Sequence, residues 1–95
     1  MYNNIADLHE AKGDLKSAFI WKYKSVRGFE KHFGTKHPDT AEVYNNIATL
    51  CIEMEEYKMA VQYAKLALPT YLRYFGEDHF TTKNVKLIID DYSKL

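Results

Sequence analysis

The chain has 95 residues, with 13 basic and 13 acidic side chains and a formal net charge of zero at pH 7. That length makes one small domain near the lower end of comfortable core size, and the balanced charge removes any bulk attraction to nucleic acid or anionic membrane. The lone cysteine, Cys51, excludes an internal disulfide framework and points to a reducing compartment, the cytoplasm, and neither an 18-residue apolar run nor a basic-then-apolar leader occurs.

Five segments show helical periodicity. The first runs from Tyr2 to about Ala11 and ends at the turn Lys12, Gly13, Asp14. A second, longer helix carries Leu15, Ala18, Phe19, Val26, Phe29 and Phe33 on one stripe. Gly34 is placed to end it with a left-handed backbone, and Pro38 supplies a preset helical φ for the next helix. In that third helix Val43, Ile47, Leu50, Cys51 and Met54 fall at i, i+4, i+7, i+8 and i+11. Glu55 and Glu56 follow, and the lack of glycine there predicts a tight turn with no obligatory left-handed residue. From Tyr57 a broad stripe of Ala60, Val61, Ala64, Ala67, Leu68, Tyr71, Leu72 and Phe75 makes a fourth helix, closed by Gly76. Val85, Ile88, Ile89, Tyr92 and Leu95 mark a fifth, starting near Thr81. His37 and His79 stand just before two of these helices, where a ring nitrogen can accept a hydrogen bond from a free backbone N–H. Gly28 and Pro69, at neighbouring places in the two long helices, predict a bend in each.

The string YNNIA occurs at Tyr2 to Ala6 and again at Tyr44 to Ala48, an offset of 42 residues. The same offset pairs Leu8 with Leu50, Ala18 with Ala60, Phe33 with Phe75, Gly34 with Gly76, His37 with His79, Thr40 with Thr82 and Val43 with Val85. A fixed period of this size is the signature of stacked repeats. Within a single domain over 1–95, repeat one covers 2–43 with its first helix truncated at the start, repeat two covers 44–85, and 81–95 form a partial third repeat or capping helix. Because Tyr2 lacks the lead-in that His37 to Val43 provide for Tyr44, the sequence reads as part of a longer protein.

Helix, short turn and helix, with small residues at the crossing points, resemble the tetratricopeptide repeat. The matching positions are Tyr44, Ile47, Ala48, Tyr57, Ala60 and Ala67 in repeat two, and Tyr2, Ile5, Ala6, Gly13, Leu15, Ala18 and Ser25 in repeat one. Lys22 stands where an aromatic is usual and Glu55 where glycine is usual. A period of 42 with the joint FGTKHPDT resembles the kinesin-light-chain type, since ordinary repeats run about 34 residues. The resemblance implies an all-α fold, antiparallel helix-turn-helix repeats stacked in a right-handed superhelical solenoid of about five helices. It also implies a non-catalytic protein–protein interaction module or scaffold that takes a peptide or helix of a partner in its concave groove.

In such a stack the first helix of each repeat lines the concave surface, which places Asn3, Asn4, Asn45 and Asn46 there. A side-chain amide offers both donors and acceptors, so it can hold a peptide backbone whatever the peptide's side chains. The family's backbone-holding asparagine maps onto Asn4 and Asn46; Ile88 takes that place in the third repeat. Asp7, Thr49, Glu53 and Asn84 share the same helical faces. Bases of the kind that grip carboxylate-ended peptides are not evident on them. A stacking role is the alternative, with self-association starting at Ile88, Tyr92 and Leu95 or at Tyr2 and Ile5.

Enzyme chemistry and cofactors find no support. His37 and His79 recur at a joint and read as caps, while His9 and His32 read as packing or surface residues. No set of three or four converging ligands suits zinc. Cys51 lies on an apolar face with no base placed beside it, and all four glycines are isolated, so no phosphate loop exists. The bases Lys12, Lys16, Lys22, Lys24, Arg27, Lys31 and Lys36, interleaved with Trp21 and Tyr23, give nucleic acid a minor reading, but they point all around one helix and read chiefly as a solvated face.

Overall fold

A computed structural model describes residues 15–94, whose regular structure is all helix, with no strand among them. Four helices follow in order: α1 over Leu15–Phe33, α2 over Pro38–Glu53, α3 over Tyr57–Phe75 and α4 over Phe80–Tyr92. The predicted first helix, Tyr2 to about Ala11, lies outside the described residues, as does Leu95. Each helix packs on the next in the chain, and connections of only three or four residues make those neighbours antiparallel. The chain therefore zigzags between two layers, α1 and α3 in one, α2 and α4 in the other, within principal extents of 34 × 33 × 18 Å.

The core explains why α2 is the most buried element. Held between α1 and α3, it contributes Ala41, Val43, Tyr44, Ile47 and Cys51 to a cluster with Val26 of α1, Ala60, Ala64, Ala67 and Tyr71 of α3 and Val85 of α4. Alanines at 60, 64 and 67 line one side of α3 and bring the backbones close, while Tyr44 and Ile47 fill the space they leave. Ala18 and Leu50 form a second, smaller cluster bordered by Trp21 and Met54.

The two joints between long and short helices are built alike. Gly34 and Gly76 both take positive φ, 80° and 83°. Gly76 has ψ near 170°, so it lies in an extended region that only glycine enters readily, and not in the left-handed helical region expected for it. His37 Nδ1 accepts a hydrogen bond from the Asp39 N–H at 3.0 Å, and His79 Nδ1 accepts one from the Thr81 N–H at 3.1 Å. Each imidazole also leans on an aromatic ring of the preceding helix, Phe33 or Phe75, with centroids 4.7 Å apart in both cases. Pro38 opens α2 as its sequence position predicts.

The turn between α2 and α3 corrects an expectation. Glu55 does adopt a left-handed backbone, φ 63°. Its N–H donates to the Ile52 carbonyl at 3.0 Å while the Glu56 N–H reaches back to the Cys51 carbonyl at 2.8 Å. This pair of bonds is the Schellman closure, which reverses the chain in the fewest residues and needs positive φ at the position of Glu55. The close packing of α2 on α3 sets the turn, and the side chain present there follows. Gly28 and Pro69 both sit inside unbroken helical segments. Open space surrounds the place a Gly28 Cβ would occupy.

Candidate functional site

One side of α2 is covered by neither α1 nor α3. Along a helix, residues three and four apart share a side, and on α2 this puts Glu42, Asn45, Asn46, Thr49 and Ile52 near one another. Two open grooves meet here. One, at the start of α2, is lined by Pro38, Asp39, Glu42, Asn45 and Asn46 together with Tyr71, Phe75 and Thr81. The other lies between α2 and α4 and is lined by Asn45, Thr49, Ile52, Asn84, Leu87, Ile88, Asp91 and Tyr92, enclosing about 350 Å³. Asn45 belongs to both.

The sequence-derived residues fall into three groups. Asn45, Thr49 and Asn84 come together in the α2/α4 groove, and Asn46 lies in the adjoining one. Glu53 is exposed near the end of α2 and lines neither groove. Asn3, Asn4 and Asp7 lie outside the described residues. Asn45 and Asn46 are half-buried, and Thr49 returns its hydroxyl to the Asn45 carbonyl at 3.0 Å within the helix. Leu87, Asp91, Glu42 and Ile52 were missed as lining residues. The offset of 42 held the clue to two of them, since Leu87 and Asp91 are the counterparts of Asn45 and Thr49.

Beneath this face the titrating groups are silent near neutral pH. Burial pushes the Cys51 thiol up to about 11, with the Glu56 carboxylate adding to the effect, so the thiol holds its proton near neutral pH. Burial and then the nearby Glu42 charge raise Tyr71 to about 12. Tyr44 rises further, first through burial and then because its hydroxyl donates to Glu30. Among the described residues no group of three or more His, Cys, Asp or Glu side chains is placed to hold a metal ion, and no helix is long and apolar enough to cross a membrane.

The basic run on α1 is divided. Lys22 is buried, Lys24 sits over the Trp21 ring 4.7 Å from its centroid, and Arg27 is 4.0 Å from the Glu30 carboxylate.

Antiparallel helix pairs, a repeated glycine–histidine joint and an amide-lined groove between alternate helices define a helical repeat protein. Residues 1–73 match the sequence profile of the tetratricopeptide repeat family, and the chain belongs to that family. The repeats of that family are non-catalytic modules that generally serve protein–protein interaction. The chain is also similar to the clustered mitochondria protein homolog of Homo sapiens, with 33% identity over 75 residues. That match spans 79% of this chain and 6% of the relative's length.

Proposed function

We propose that this chain binds an extended segment or a helix of a partner protein in the groove between α2 and α4. The observation that carries the reading is the meeting of Asn45, Thr49 and Asn84 across two parallel helices, beside an apolar wall of Ile52, Leu87 and Ile88. Amides there can pair with a peptide backbone, and the apolar wall can take side chains, the combination a selective peptide site needs. Asn46, in the adjoining groove, extends the row of amides, and the repeat carries Asn4 as its counterpart 42 residues earlier in the sequence. The duplicated joint and the period of 42 support a place in the kinesin-light-chain-like subtype, and the buried free thiol of Cys51 suits the cytoplasm.

An array of short peptides, probed with the wild-type chain and with an Asn45→Ala/Asn84→Ala variant shown by circular dichroism to be folded, tests this reading. Selective binding lost in the variant supports it; a folded wild type that binds no peptide refutes it. A second reading, stacking on another copy or on neighbouring repeats, is favoured by the exposure of Phe80 (70%) and Leu87 (54%) on α4. It requires concentration-dependent association in sedimentation that a Leu87→Gln or Ile88→Gln change dissolves.

A further inference from the structure

We propose that this groove selects partner segments carrying basic side chains among apolar ones, with two of the bases about three residues apart. The inference rests on the groove being the peptide site. Every charged side chain lining the two adjoining grooves is a carboxylate: Asp39 and Glu42 at one end, Asp91 at the other. No lysine or arginine is among the lining residues. Glu53 and Asp90 add exposed negative charge on the same two helices.

The missing bases are elsewhere. α2 has no basic residue along its length. Exposed lysine and arginine are concentrated in the other layer, as Lys16, Lys24, Arg27 and Lys31 on α1 and Lys58, Lys65 and Arg73 on α3. α4 carries two lysines: Lys86 is turned to Glu77 at 3.4 Å, outside the groove, and Lys83 is exposed beside Asn84 but is not among the residues that line either groove. A basic segment is therefore attracted to one layer and repelled by the other, which favours its arrival at the groove. An acidic segment meets like charge at both ends of the groove, and like-charge contact is a strong means of rejecting a partner.

The spacing follows from helix geometry. α2 and α4 are each antiparallel to α3, so they run parallel, and Asp91 stands level with Thr49, its counterpart one repeat earlier. Glu42 precedes Thr49 by seven residues, about 10 Å along the helix at 1.5 Å per residue. An extended peptide advances about 3.3 Å per residue, so three residues cover the same distance. Bases so spaced reach Glu42 and Asp91 together, and the aliphatic stems of lysine or arginine can lie along Leu87 and Ile88. Apolar side chains near the Asp91 end meet Ile52 and Tyr92.

Fluorescence anisotropy on the full 95-residue chain tests the proposal with three labelled peptides that share a leucine and serine background. One carries two lysines three residues apart, the second has glutamates in their place, the third glutamines. The lysine peptide is expected to bind roughly tenfold or more tightly than the glutamate peptide, to weaken as salt rises, and to lose several-fold in affinity against a Glu42→Gln/Asp91→Asn variant. Equal binding of all three, lost on Asn45→Ala/Asn84→Ala, leaves the groove in use but overturns its charge preference. Lysine-peptide binding that Glu42→Gln/Asp91→Asn does not change overturns it as well. Failure of every peptide to bind the folded chain refutes the groove reading itself. Self-association at low salt that Lys24→Glu/Arg27→Glu abolishes would place α1 of a second copy in the groove and overturn the proposal.

Discussion

The Tyr44 hydroxyl donates to the Glu30 carboxylate at 2.5 Å, tying the most buried side of α2 to the last turns of α1. A hydrogen bond to a charged partner contributes about 1.5–3 kcal/mol. Tyr44→Phe keeps the ring packed and removes only this bond, so urea unfolding is expected to show a loss near the lower end of that range, because Glu30 stays partly exposed. Glu30→Gln retains an acceptor and should lose less. Equal stability of Tyr44→Phe and wild type would mean the bond contributes nothing.

Glu55 occupies a backbone region that costs a residue with a Cβ about 1–2 kcal/mol. Glycine escapes that cost but loses more chain entropy on folding. Glu55→Gly is therefore expected to raise stability by about 0.5–1 kcal/mol, with Glu55→Ala giving no gain. Repeat one already has glycine at the equivalent position, Gly13. A destabilised Glu55→Gly protein would show that the Glu55 side chain matters more than its backbone.

Thr40 and Thr82 are equivalent, fully buried and differently satisfied. Thr40 donates to the Phe29 carbonyl at 3.4 Å, whereas the Thr82 hydroxyl has no partner among the described residues. The carbonyl equivalent to that of Phe29 belongs to Tyr71 and already receives the Gly76 N–H at 3.2 Å. An unsatisfied buried hydroxyl costs about 1–3 kcal/mol, and valine has nearly the same shape. Thr82→Val should stabilise the fold by about 1 kcal/mol and Thr40→Val should not. Thermal melts that rank the two variants the other way would contradict this account.

Alkaline pH should weaken the fold through Cys51 before any tyrosine acts. The thiol rises on folding from an ordinary 9.0 to about 11, so the folded chain holds the proton more tightly than the unfolded one. The associated stability is fully present below about pH 9, declines as pH rises and is gone above about 11, a difference on the order of 2 kcal/mol. Tyr71 extends the decline from about 10 to about 12. Cys51→Ala removes the first part of this slope, and iodoacetamide should label the wild-type thiol slowly at pH 8 in the native state and rapidly in urea. Fast native labelling would show that Cys51 is accessible.

What was legible in the sequence was whatever the repeat states twice. His37 and His79, Gly34 and Gly76, and Phe33 and Phe75 mark the joints by recurrence; Asn45 and Thr49 share a side of α2 that the 3.6-residue period exposes, and Asn84 holds the place in α4 that Glu42 holds in α2. The conformation of Glu55 was hidden because its side chain disfavours that region; the packing of α2 on α3 imposes it. The groove's second wall was hidden for a related reason. Which side of α4 meets α2 depends on how both helices seat on α3; the offset of 42 relates Leu87 and Asp91 to Asn45 and Thr49, but the change of residue type at both places masks the correspondence. Glu30 stands in the sequence among the bases of α1, and nothing nearby points to its partner, Tyr44, 14 residues away.

Among the described residues, most bases lie on α1 and α3 while α2 carries carboxylates and no base, so opposite charges are set apart beneath a formal net charge of zero. At pH 7 and low salt such a chain is expected to be retained by both cation- and anion-exchange resins, each gripping a different layer. Its isoelectric point, near 6.9, describes the sum of its charges and conceals their separation.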